Sequence, residues 1–138
     1  MVRASSLLLP LWLNRRRAIA ARYDEMFADI SFVRPLAKRP DRTHAYHLYV
    51  IRLDLGQLKV DRRRAFDHLK AAGIGANVHY APVYYHSFYR ERFGYQPGLC
   101  PQAEAVYAEI LTLPMFPALS EAEQDRVVNT VGELKHLC

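Results

Sequence analysis

Apolar residues in the first part of the chain recur at helical spacing. Ile19, Tyr23, Met26 and Phe27 fall on one stripe, arginines and acids take the other faces, and Asn14 is placed to cap the start. The pattern predicts an amphipathic helix from Asn14 to about Ala28. A short apolar piece, Ile30 to Val33, leads into Pro35–Arg42, whose prolines and arginines predict a turn or exposed loop. From Ala45 to Leu53, aromatic and β-branched residues fill both alternating faces. That run predicts a well-buried strand, with His47 facing the core on a backbone partner.

Asp61 is placed to cap a helix that turns Ala65, Phe66 and Leu69 inward, and Gly73 stands where a left-handed residue would end it. Ile74–Tyr80 reads as a strand with Val78 and Tyr80 on one face, Asn77 and His79 on the other. Residues 81–100 hold Pro82, Gly94, Pro97, Gly98 and six aromatic side chains, which predicts a long ordered loop. Pro101 opens a helix with Ala103, Val106 and Ile110 in register, and Leu111–Leu113 forms a brief strand stopped by Pro114. Ser120 and Glu123 make a capping box for a last helix striped by Val127, Val128, Val131 and Leu134. Strands returning through single helices or short turns predict an α+β fold: a small mixed or antiparallel sheet with helices covering one face. No glycine-rich phosphate loop follows any strand.

The length, 138 residues, suits one domain, and 51% hydrophobic with 24% charged residues is ordinary for a globular chain. The run Leu7–Leu13 is too short to span a membrane. Three arginines follow it with no convincing cleavage site, so it reads as a helix packing surface or as foreign sequence at a truncation point. Residues 1–14 are accordingly set apart as an atypical leader before a domain at 15–138. The net charge of +5 would suit an anionic partner. Its distribution argues otherwise: Arg15–Arg17 and Arg62–Arg64 each stand at a helix start followed by carboxylates such as Asp24, Glu25 and Asp67. These read as solvated helix faces, and no nucleic-acid-binding motif accompanies them. Cys100 and Cys138 fit neither a disulfide framework nor a zinc site, and a reducing cytoplasm is the simplest setting.

The densest polar and aromatic group runs through Asn77, His79, Tyr80, Tyr84, Tyr85, His86, Phe88, Tyr89 and Arg90. Histidine can donate or accept, tyrosine offers a hydroxyl and a stacking face, and arginine can grip phosphate in a fork. That set suits a sugar nucleotide. The same residues can equally pack a loop onto the sheet, with His79 satisfied inside the structure. No nucleophile-and-base pair has supporting spacing, and none of Lys38, Lys59, Lys70 and Lys135 sits in an apolar stretch that would lower its pKa for covalent work.

Several segments together resemble the C-terminal third of the DegT/DnrJ sugar aminotransferases. They are Arg16–Tyr23, Tyr46–Arg52, Gly73-Ile74-Gly75-Ala76-Asn77-Val78-His79-Tyr80-Ala81-Pro82-Val83, Tyr89-Arg90 with Phe93-Gly94-Tyr95, Cys100–Glu104, and Leu113-Pro114-Met115-Phe116-Pro117. The likeness runs from about Arg15 to the end. It implies the small domain of a fold-type-I aminotransferase, normally a homodimer, that moves an amino group from glutamate through pyridoxal phosphate to a 4-keto sugar on UDP. In that family the larger domain carries the catalytic lysine and the cofactor phosphate site, so no cofactor is expected on this chain alone. The resemblance places His79 on the substrate side, with Tyr80 and Tyr84 next. Tyr84 stands where members often carry histidine, and the residues before Arg15 depart from the family's connecting helix. Two other readings remain: a non-enzymatic nucleotide or nucleic-acid binding module, and a remnant without function.

Overall fold

The structure, a computed structural model, describes residues 3–138. The first two residues of the leader lie outside the described residues. Helix α1 spans Arg3–Phe27, so the helix runs without a break past Asn14. Asn14 is therefore not a cap: its Oδ1 accepts from the Arg17 guanidinium at 3.3 Å, one turn along the helix. Pro10 lies inside α1, where it removes one intrahelical donor.

The remaining elements are β1 (Val33–Pro35), β2 (Tyr49–Leu53), α2 (Arg62–Ala71), α3 (Ser87–Phe93), α4 (Pro101–Glu109), β3 (Ile110–Leu113) and α5 (Glu121–Gly132). The three strands form one antiparallel sheet in the order β1-β2-β3. This is the α+β arrangement expected, in its antiparallel form. Register pairs Val33 with Leu53, Ile51 with Leu111 and Tyr49 with Leu113, so these six share one face. Onto it pack Ile19, Tyr23 and Phe27 of α1, Ala65 and Leu69 of α2, and Val127, Val128 and Val131 of α5, with Leu134 just beyond. Tyr23 and Tyr49 meet at 4.8 Å between ring centres, and their hydroxyls reach the Pro114 carbonyl and Asp24. Each aromatic body is thus buried while its polar end is satisfied.

The predicted caps explain the helix ends. Asp61 accepts from the Arg64 amide at 2.7 Å, Gly73 takes φ 75° after α2, Pro101 stands in the first turn of α4, and Ser120 with Glu123 closes a capping box on α5. Two strands are shorter than their sequences suggest. β2 begins at Tyr49 because Tyr46 takes φ 49°, a left-handed conformation that breaks the extended run from Ala45. His47 is consequently exposed, not core-facing. The carbonyls that a neighbouring strand would have paired are met by arginines instead: Arg16 reaches those of Tyr46 and His47, and Arg17 that of His44. Along Ile74–Tyr80 only Asn77 pairs, across to Thr112. β3 is four residues long and Pro114 stops it, so there is little edge left to extend the ladder.

The arginine triplet lies inside α1 and not at a helix start, and although Arg15 and Arg17 are exposed as expected, its side chains are also bonded to backbone. Arg15 reaches the carbonyls of Pro117 and Leu119, and Arg16 reaches a third carbonyl, that of Met115. These side chains tie α1 to the segments after β3 and before β2. They are cross-links, not a free cationic patch.

Candidate functional site

The backbone N–H of Asn77 donates to the Thr112 carbonyl at 3.0 Å, and the Thr112 N–H donates back at 2.7 Å. This bridge adds a one-residue strand to the free edge of β3. Antiparallel register puts Asn77 and His79 on the same side as Thr112, opposite the core face. There the half-buried His79 places Nδ1 2.9 Å from Oγ1 of Thr112, itself only 5% exposed. Thr112 is the one hydroxyl in an apolar strand, a signal available in the sequence and not used there. Arg52 shares this face by register and forks onto Glu109 at the end of α4, at 2.9 and 2.7 Å.

Tyr80 follows with its ring edge-on to His79 at 4.7 Å between centres, and it is 71% exposed. Those two residues form an open polar and aromatic surface. Tyr84 does not join them. It is buried at 9% exposure, and its hydroxyl donates to Glu104 at 2.6 Å. Glu104 also accepts from the Gly98 amide at 2.7 Å, so one carboxylate joins both ends of the connection to the start of α4. The Tyr84 hydroxyl is pushed well above its ordinary pKa, first by burial and then by Glu104. Tyr85 is raised too, chiefly by burial, and packs edge-on to Tyr107.

The stretch 81–100 is more regular than its composition suggests. A 3₁₀ turn at Val83–Tyr85 precedes α3, whose Phe88, Tyr89 and Phe93 contact one another, and Gly94 at φ 69° ends the helix. The spacing Tyr89–Phe93 followed by Gly94 carried that helix in the sequence. His86 and Arg90 are exposed.

A separate cleft of about 530 Å³ is lined by Arg17, Lys38, Arg39, Arg42, His44 and Tyr46 among others, and includes none of the expected site residues. Its cations are largely matched internally: Lys38 pairs with Asp24, and Arg39 and Arg42 both pair with Asp41. Among the described residues, no cluster of three His, Cys, Asp or Glu side chains could hold a metal, and both cysteines are free and exposed.

Pyridoxal phosphate requires a lysine that can lose its charge, which burial in an apolar pocket promotes. Lys38, Lys59, Lys70 and Lys135 are all exposed. Lys38 is pushed in the opposite direction, its pKa raised by the hydrogen bond to Asp24. The residues of this chain do not fit the covalent site of that cofactor.

The sequence profile of the DegT/DnrJ/EryC1/StrS aminotransferases matches residues 7–132. SpsC of Bacillus subtilis, a spore coat polysaccharide biosynthesis protein, is 35% identical over 122 residues, which are 88% of this chain and 31% of SpsC. Spr1654 of Streptococcus pneumoniae, solved in a PLP form, superposes with a TM-score of 0.80 at 32% identity, covering 92% of this chain and 32% of that one. PseC of Helicobacter pylori, an aminotransferase of pseudoaminic acid biosynthesis, gives 0.79 at 26% identity over 92% of this chain and 33% of its own. The chain therefore spans about a third of the length of these relatives. On the breadth of the profile match, it belongs to the DegT/DnrJ/EryC1/StrS aminotransferase family.

Proposed function

We propose that this chain is the smaller, C-terminal part of a pyridoxal-phosphate-dependent aminotransferase that transfers an amino group from glutamate to a UDP-linked 4-keto sugar. As the finer assignment we favour the transaminase of pseudaminic acid biosynthesis, in keeping with the likeness to PseC. The reading places the working assembly in the cytoplasm as a homodimer, with the cofactor-holding lysine on the larger part and this chain inactive alone. In keeping with that setting, no helix among the described residues is long and apolar enough to cross a membrane.

The observation that carries the reading is His79, fixed by Thr112 on the open side of the sheet with Tyr80 exposed beside it. In this proposal His79 and Tyr80 meet the nucleotide sugar. Tyr84 acts through the loop that it pins, because its hydroxyl is committed to Glu104. Binding groups of this kind orient a substrate and exclude water, while the cofactor, where it is bound, supplies the electron sink.

The test is reconstitution. Co-expression with the larger domain of a relative is expected to yield amino transfer to the UDP-4-keto sugar. His79→Ala in that assembly should weaken use of the sugar nucleotide at least tenfold, which corresponds to about 1.4 kcal/mol, and leave the glutamate half-reaction intact. Equal loss in both half-reactions, or in neither, would remove His79 from the substrate side.

A further inference from the structure

We infer that Thr112 holds His79 in the tautomer with its proton on Nε2, so that a ligand meets His79 as a hydrogen-bond donor. The inference rests on the reading of His79 as a substrate-side residue only for what the donor is used for. The hydrogen bond itself stands on geometry.

Two assignments are compatible with the 2.9 Å separation of Nδ1 and Oγ1. If Nδ1 carries the proton and donates, the threonine hydrogen needs an acceptor of its own. Among the described residues Oγ1 has no second partner, and the residue is 5% exposed, so that hydrogen would be buried and unmet. Folded proteins avoid this arrangement. If Thr112 donates to a bare Nδ1, both groups are satisfied by one bond. A neutral imidazole with Nδ1 as acceptor carries its hydrogen on Nε2.

Thr112 is well placed to enforce that choice. Its backbone is fixed by both hydrogen bonds to Asn77, and its branched side chain has few rotamers. His79 lies two residues beyond Asn77, on the same side, so the bridge brings its backbone to where the ring reaches Thr112. Nε2 has no partner among the described residues, and the ring is only half-buried. The donor is thus presented outward, suited to an oxygen acceptor such as a carbonyl, hydroxyl or phosphate oxygen. In this state Nε2 has no lone pair with which to accept a proton. Thr112 is a positioning residue that selects what His79 can do.

Imidazole nitrogen shifts of the full ¹⁵N-labelled chain at neutral pH test this directly, with His79→Gln identifying the ring among six histidines. The expected spectrum has a bare Nδ1 and a protonated Nε2 as the dominant form. Thr112→Val should turn His79 into a mixture of tautomers, and Thr112→Ser should keep the single form. A protonated Nδ1 in the unaltered chain overturns the inference, as does an unchanged pattern in Thr112→Val. Should the valine variant fail to fold, the unaltered chain and the serine variant decide the matter. A protonated Nε2 together with undiminished sugar use in His79→Ala would uphold the tautomer while sinking the substrate-side reading.

Discussion

Glu104 shows how one side chain can decide the shape of a surface. Its carboxyl lies below the ordinary range, first because the Tyr84 hydroxyl donates to it and then because the Gly98 amide does, against the opposing effect of burial. A carboxyl lowered by folding stabilises the fold fully above its unfolded value, about 4.3 for glutamate, and that contribution is lost as pH falls through the folded value. Tyr84 runs the other way. Its raised hydroxyl contributes fully below the unfolded value of about 10 and loses the contribution only as pH climbs through the folded one. The clamp is therefore at full strength between about pH 5 and 10. Amide protection over residues 84–98, corrected for intrinsic exchange, should be flat across that range and decline below about pH 4. Glu104→Gln should lower protection throughout and remove the acid dependence; protection equal to the unaltered chain would show that the clamp does not hold the loop. His79 and Tyr80 stood out in the sequence by chemical type. Tyr84 stood out for the same reason, but its burial depends on Glu104, twenty residues away, which a local reading does not connect to it.

At the level of elements, what the sequence made legible was local. Asp61, Gly73, Pro101 and the Ser120–Glu123 pair each act within one helical turn, and each occupies the position expected of it. What it hid was long-range. The start of β2 is set by Tyr46 at φ 49° and by arginines about 30 residues earlier, so nothing within Ala45–Leu53 announces the break. Arg16 matters most among them, because it approaches three carbonyls on two segments flanking the sheet. All three are met by one nitrogen, Nη1, and lysine, whose side chain is one bond shorter, keeps the charge without reaching the same point. Arg16→Lys is expected to cost about 1.5–3 kcal/mol, the range for hydrogen bonds to charged groups, with faster amide exchange at residues 46–49. Chemical denaturation with an unchanged slope would measure it. An equally stable lysine variant would mean that solvent serves those carbonyls as well as Arg16 does.

Across the whole molecule, the two halves of α1 meet different surroundings. Ile19, Tyr23 and Phe27 are spaced at i, i+4 and i+8 and lie against the sheet, each at most 1% exposed. At 100° per residue the same stripe, carried back along the helix, passes through Leu8 and Trp12, with Leu9 and Leu11 on its flanks. These four are 43%, 48%, 53% and 63% exposed for Leu8, Trp12, Leu9 and Leu11. The sequence presented Leu7–Leu13 as a helix packing surface, and these four of its side chains are left uncovered. An apolar face that is core beyond Arg15 and Arg16 and open before them is a surface shaped to be covered, since apolar area left in water favours association. The described residues of this chain leave it open, so at sufficient concentration another copy is expected to cover it. Sedimentation velocity should therefore show the chain's mean size rising with concentration. Leu11→Lys combined with Trp12→Lys should bring it to a single monomeric species while the far-ultraviolet circular dichroism stays the same, because neither side chain belongs to the core beneath the sheet. A chain that remains monomeric at every concentration, or a double variant that associates just as strongly, would place the sticking surface elsewhere. The exposed Phe88 and Phe93 of α3, at 62% and 53%, would then be the next place to substitute.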